Sequence, residues 1–106
     1  MAMQEKRGTR RFNLRLPVQV RLPGATQDYT AQTRDVSARG IYFLTNHAPR
    51  EGASIEFTLT LPPEITQADA IRVRCTGRVI RIEANAAKGK DGVASLIEKY
   101  EFLPDA

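Results

Sequence analysis

Apolar residues fall on every second position in one segment after another, and Pro or Gly breaks each run. Leu16, Val18, Val20 and Leu22 alternate with Pro17, Gln19 and Arg21, and Pro23-Gly24 follows. That period belongs to a strand with one buried face. Asp28 to Arg34, rich in Thr and Tyr, reads as a second strand, and Gly40 to Thr45 (GIYFLT) as a third. Ala53, Ile55, Phe57, Leu59 and Leu61 form the cleanest alternation, which Pro62-Pro63 stops. Pro63 to Ala70 allows one or two helical turns. Ile71, Val73, Cys75, Gly77 and Val79 alternate again, but the parity slips at Ile80 and Ile82. A one-residue slip is what a β-bulge does to a long strand, and Gly77 eases a bend there. Asn85 to Gly92 reads as a hairpin loop, with Asp91-Gly92 as its turn pair, and Val93 to Phe102 as the returning strand.

Six strands with short connections and hardly any helix define an all-β class. In a chain of 106 residues this suits one small antiparallel barrel, which closes its own edges. Neither an internal repeat nor a low-complexity stretch interrupts the pattern. Period alone does not choose among barrel topologies.

Charge is distributed unevenly along the chain. Residues 1–22 carry six basic side chains against Glu5, a net +5, while residues 23–106 carry ten against eleven, a net −1. Of the 16 basic residues, 12 are Arg. A guanidinium is a planar fork suited to phosphate and to the guanine edge, whereas an ammonium is a point charge. The segment from Met1 to Arg11 is polar and basic, and no apolar run approaches the roughly 20 residues of a membrane helix. The single cysteine, Cys75, excludes an internal disulfide. A cytoplasmic protein without membrane insertion is expected.

Two short constellations carry chemistry. One is Arg11-x-x-x-Arg15, preceded by Arg10 and followed by Leu16-Pro17-Val18. The other is Asp35-Val36-Ser37-Ala38-Arg39-Gly40, a D-x-S-x-x-G that ends where a strand begins. R-x-x-x-R means little alone, since it also occurs at Arg7/Arg11 and Arg74/Arg78. D-x-S-x-x-G is rarer: a shuffled chain of this composition would hold on the order of 0.01 copies. Asp and Ser before a strand can simply bond nearby backbone amides, with Gly supplying a positive φ. They can equally face a ligand.

Taken in order, Arg-Arg-x-x-x-Arg, a hydrophobic-Pro pair, about 20 residues and D-x-S-x-x-G before an apolar strand resemble the PilZ domain. This is a family of bacterial receptors for the second messenger cyclic di-GMP. Cys75 to Arg81 (CTGRVIR) is similar to the family's late strand, and Gly92 to Phe102 to its closing strand. The resemblance runs from about Arg10 to about Phe102. It implies a six-stranded antiparallel PilZ-type β-barrel over residues 12–103, preceded by a flexible basic segment at 1–11, in a single domain.

The resemblance also implies a site. Arg11 and Arg15 match the first motif, and Asp35, Ser37 and Gly40 the second. Arg10 is similar to the arginine of members that bind a stacked pair of cyclic di-GMP molecules, and Arg39 is placed to reach a phosphate. The chemistry fits. Guanine presents O6 and N7 to an arginine fork. Its N1 and N2 donors suit a carboxylate such as Asp35, and the Ser37 hydroxyl serves either polarity. A doubly anionic ligand would recruit roughly residues 5–15 over the barrel and change the surface offered to an effector protein. No cofactor, metal or catalysis is expected: His47 is the only histidine, and no nucleophile constellation accompanies it.

Two departures from the family pattern stand out. Only Leu103 to Ala106 follow Phe102, so the helix that many members carry there is expected to be absent or displaced. The family's late aromatic platform has no Trp here, and the matching region offers Val79. Stacking would then fall to arginine or to a second nucleotide. A PilZ-like scaffold that binds only protein is the main rival reading. A single-stranded nucleic-acid binder on an OB-like barrel is disfavoured, because the seven aromatics fall mostly at alternating apolar positions.

Overall fold

A computed structural model describes residues 15–22 and 24–103. The six expected strands are present: β1 (Pro17–Arg21), β2 (Tyr29–Val36), β3 (Gly40–Thr45), β4 (Ser54–Leu61), β5 (Ile71–Ala87) and β6 (Lys90–Leu103). One four-residue helical turn, α1 (Pro63–Thr66), joins β4 to β5. Gln67 ends it in the left-handed region at φ 60°. All strand pairs are antiparallel, and they close in the order β1-β2-β3-β6-β5-β4. β4 pairing back onto β1 completes the cylinder. None of the described helices is long and apolar enough to cross a membrane.

The alternation read from the sequence is the wall of this barrel. Val18 and Val20 of β1, Ile55, Phe57 and Leu59 of β4, and Val73, Cys75 and Val79 of β5 all point inward and are buried. Phe43 and Phe57 are the largest fully buried side chains. Burying each is worth about 1.5–3 kcal/mol relative to exposure. Thr33 is a buried polar member. Its Oγ1 accepts the Leu16 N–H at 2.9 Å, and its own N–H donates to the Leu16 carbonyl at 2.8 Å. That pair ties the start of β1 to the middle of β2.

The expected slip in β5 is a bulge. Val79 pairs with Ser95 and Arg81 with Ala94, so Ile80 is the extra residue. It is 50% exposed, while its neighbour Val79 is in the core. A second shift lies between Thr76 and Gly77. A Cβ on Gly77 would collide with the Leu96 carbonyl, so glycine there permits the close approach of β6. A further bulge, not foreseen, makes Arg34 the extra residue between Thr33 and Asp35 on β2.

The β5–β6 hairpin turns elsewhere than expected. Ala87 pairs with Lys90 around Lys88-Gly89, and Gly89 has φ 71°. Asp91 and Gly92 are strand residues, paired with Thr45 and Leu44 of β3. Gly92 is needed for a different reason than a turn. The Tyr42 hydroxyl lies where its Cβ would be. Asp91 braces the strand by accepting the Asn85 N–H at 3.0 Å, where Asn85 adopts φ 55°.

Candidate functional site

Between β2 and β3 the chain turns through Ser37, Ala38 and Arg39. Ser37 N–H donates to the Gly40 carbonyl at 2.9 Å. The Ser37 hydroxyl accepts from Gly40 N–H at 3.2 Å and Arg39 N–H at 3.3 Å. The serine therefore does play the local role open to it, stitching its own turn. Both its acceptor positions are used at long distance, and its own O–H donates to the Gly40 carbonyl across a long 3.4 Å. Such a weakly held proton can be redirected to a ligand.

Gly40 is not among the positive-φ glycines. A Cβ there would stand 2.9 Å from the Ser95 carbonyl oxygen, so close packing of β6 against the turn demands glycine. The Arg39 carbonyl accepts the Ile97 N–H at 2.8 Å and extends the same seam. The turn is held rigid by backbone bonds on both sides.

Asp35, Ser37, Arg39 and Gly40 all line one cavity of about 390 Å³. Four sequence-predicted site residues thus converge. The structure adds Arg34, Tyr42, Ile80 and Arg81 to its walls. Arg72, Arg74, Arg78 and Arg81 alternate with the apolar face of their strand, a pattern that suits a solvated outer face or, less often, the edge of an anion site. Of those four, Arg81 lines the cavity, set there beside the Ile80 bulge. Val79, offered as the match to the family's aromatic platform, is 1% exposed and faces the core. Ile80, Leu96 and Tyr42 present apolar surface to the cavity. Tyr42 was legible as an aromatic on the outward parity of β3, next to the motif glycine.

A short polar chain orders the far wall. Tyr42 O–H donates to Glu83 Oε1 at 2.6 Å, and Arg81 Nη2 lies 3.1 Å from Glu83 Oε2. The Tyr42 hydrogen bond, and after it the charge of Arg81, holds the Glu83 carboxyl below its ordinary range. Partial burial, and then the Glu83 contact, raises the Tyr42 phenol. The cavity carries three guanidinium groups, from Arg34, Arg39 and Arg81, against the carboxylates of Asp35 and Glu83. Its balance favours an anion that also offers hydrogen-bond donors.

Arg15 is exposed just before Leu16. The Leu16–Thr33 bonds bring that position to within two residues of Asp35 along β2. Arg10 and Arg11 lie outside the described residues. Among the described residues no cluster of three or more His, Cys, Asp or Glu could hold a metal. Cys75 is buried, and burial pushes its thiol up to about 12, which suits a core residue rather than a nucleophile.

The architecture is that of a small closed barrel with an arginine-lined polar cavity beside its β2–β3 turn. Residues 5–98 match the family model described as PilZ domain, and the chain belongs to that family. No curated protein sequence matches it. Among solved structures it is similar to the inhibitor of motility MotI/DgrA of Bacillus subtilis, at TM-score 0.74 and 18% identity. That match covers 92% of this chain and 45% of the other, so this chain spans less than half of that relative. It is also similar to the PilZ domain of CeSA from a cellulose-synthesizing bacterium, at TM-score 0.58 and 17% identity, covering 85% of this chain and 81% of that one. At these identities the likeness is one of fold.

Proposed function

We propose that the chain is a non-catalytic receptor module for cyclic di-GMP. The observation that carries this reading is the convergence of Asp35, Ser37, Arg39 and Gly40 on one polar cavity together with Arg34 and Arg81. Its volume falls within the range of small-molecule sites. Membership of a family whose members generally bind this ligand supports the same conclusion.

In this reading Asp35 accepts from N1 and N2 of one guanine. Arginine forks meet O6 and N7 or the phosphate oxygens, where charge-assisted bonds are the strong ones. Arg11 and Arg15 supply these from the N-terminal side, with Arg10 available to a second stacked nucleotide, while Arg39 and Arg81 supply them from the barrel. Tyr42 and Ile80 offer apolar contact to a base. No group acts on a bond of the ligand, and no cofactor is required. The output is a changed surface. Roughly residues 5–15 close over the nucleotide against the barrel, and an effector protein reads the result. The relative MotI/DgrA, an inhibitor of motility, illustrates an output of this type.

Calorimetric titration of the native chain with cyclic di-GMP tests the reading. Binding is expected in the native chain and should fall at least about 100-fold in Asp35→Ala, since the guanine donors then lose a charged acceptor. An Arg11→Ala/Arg15→Ala variant should lose it similarly. A single-stranded oligonucleotide should give no saturable heat. Absence of heat with cyclic di-GMP in the native chain overturns the reading in favour of a protein-binding scaffold.

A further inference from the structure

On the other side of the Ser37 turn lies a second concavity, of about 240 Å³, and its lining is almost wholly apolar. Val36, Leu61, Val73, Ile97, Tyr100 and Phe102 contribute to it. Tyr100 is 55% and Phe102 63% exposed, and their rings meet edge-on at 5.7 Å. An exposed aromatic pair beside an apolar groove marks a contact surface.

The strand that carries this pair is also open along one side. β3 covers β6 from Asp91 to Leu96, and the Arg39 carbonyl takes one more bond, from the Ile97 N–H. Beyond Ile97, β6 runs on to Leu103 with β5 as its only backbone partner among the described residues. An unpaired edge is a template for another strand, and charges on such an edge ordinarily discourage pairing. Here the charges decide which strand fits.

Pairing with β5 fixes the two faces of this edge. Tyr100 and Phe102 lie opposite the buried Cys75 and Val73, so both rings stand on the groove face. Lys99 and Glu101 lie opposite Thr76 and Arg74 on the outer face, where Arg74 Nη2 is 3.8 Å from Glu101 Oε2. A second β6 related by a two-fold axis adds antiparallel, and the pleat requires opposed residues to share a face. Opposed residues are then an even number apart in sequence, so the axis passes through a residue. Through Tyr100, it sets Lys99 of each copy against Glu101 of the other and brings the two Tyr100 rings together. Through Lys99 it opposes two lysines, through Glu101 two glutamates, and through Phe102 it faces Glu101 with Leu103. Opposite charges across a strand pair stabilise it and like charges destabilise it, so the edge is self-complementary in one register alone.

We propose that this edge of β6 pairs with the same edge of a second copy, antiparallel and centred on Tyr100. Residues 98–102 supply the ladder, and the aromatic pairs of both copies close over the adjoining grooves. A ladder of about five residues is a small contact beside the roughly 1,200–2,000 Å² of a stable interface, so the dimer is a weak, reversible one. It lies across the Ser37 turn from the polar cavity and does not depend on the receptor reading.

Sedimentation of the nucleotide-free chain over a concentration series is expected to show monomer and dimer in reversible exchange. Lys99→Glu sets glutamates against each other on both sides of the axis and should weaken the dimer about ten-fold or more. Lys99→Glu/Glu101→Lys reverses both charges, restores the match, and should return the dimer to within about three-fold of native. Both positions are exposed, so the variants keep the fold, which unchanged far-ultraviolet circular dichroism checks. In a mixture of isotope-labelled and unlabelled chains, Overhauser contacts are expected between Lys99 of one and Glu101 of the other. A chain that stays monomeric throughout overturns the proposal. A dimer indifferent to Lys99→Glu, or one that the charge reversal fails to rescue, overturns it as well. So do contacts of this edge found only within one chain.

Discussion

The polar cavity and the apolar groove lie back to back across one three-residue turn, and Ser37 lines both. They are built in different ways. The outer part of the groove is made by strands in regular register, Val73 opposite Phe102 and Cys75 opposite Tyr100, and the shifts come only at its inner edge, before Ile97 and Val36. Its lining simply continues the buried parity of the barrel to an open end. The cavity is made where register breaks. Arg34 and Ile80 are the extra residues of two bulges, on β2 and β5, and Arg81 follows the second. Regular alternation yields an apolar surface, and displaced residues put charge where alternation would not. Bulges that re-aim side chains next to binding sites are a recurring device.

This contrast can be broken experimentally. The largest effect is expected from Phe57→Ala on the groove floor. Emptying a fully buried phenylalanine should cost about 3–5 kcal/mol in denaturant unfolding. Next comes Gly40→Ala. A methyl 2.9 Å from the Ser95 carbonyl must push β6 away from the turn, at about 1–3 kcal/mol, and nucleotide affinity should fall with it because the proposed site is built on that turn. If stability falls and affinity does not, the turn is not the shared wall of cavity and site.

Arg81→Ala should separate the two regions. Its ion pair with Glu83 is solvent-exposed, so unfolding stability should change by less than about 0.5 kcal/mol. Affinity for cyclic di-GMP should drop about ten-fold, read by calorimetry, as one charge-assisted contact is removed. An unchanged affinity would return Arg81 to the solvated face with Arg72, Arg74 and Arg78.

The smallest effect belongs to Tyr42→Phe. The Tyr42 hydroxyl is the main reason the Glu83 carboxyl titrates low. A carboxyl depressed in the fold stabilises it above the unfolded pKa, and that contribution is lost as pH falls through the folded value. Without the hydroxyl, carbonyl-carbon titration of Glu83 should move up toward an ordinary carboxylate, and the acid-side loss of stability should shrink. No movement would mean that Arg81 alone sets the carboxyl.

The strands were legible because their signal is local. β4 shows alternating burial at Ile55, Phe57 and Leu59, as its sequence does. The bulge at Ile80 was legible for the same reason, since a slip in parity is itself periodic information. The bulge at Arg34 was not, because Thr and Gln around it carry no apolar phase to slip. Asp91-Gly92 misled for a related reason. A glycine spared for the ring of a distant tyrosine looks, in sequence, like a glycine spared for a turn.

The sequence by itself determined an all-β chain, its strand count, and the pairing of a basic start with a D-x-S-x-x-G motif. These depend on neighbours a few residues apart, where alternation and turn chemistry act. Only the tertiary structure decided what Gly40 avoids, which of the β5 arginines meets the motif, and that a polar cavity and an apolar groove share one turn. Each of these is a contact between strands far apart in the chain, set by register and closure of the barrel, and register is a property of pairs of strands rather than of either one.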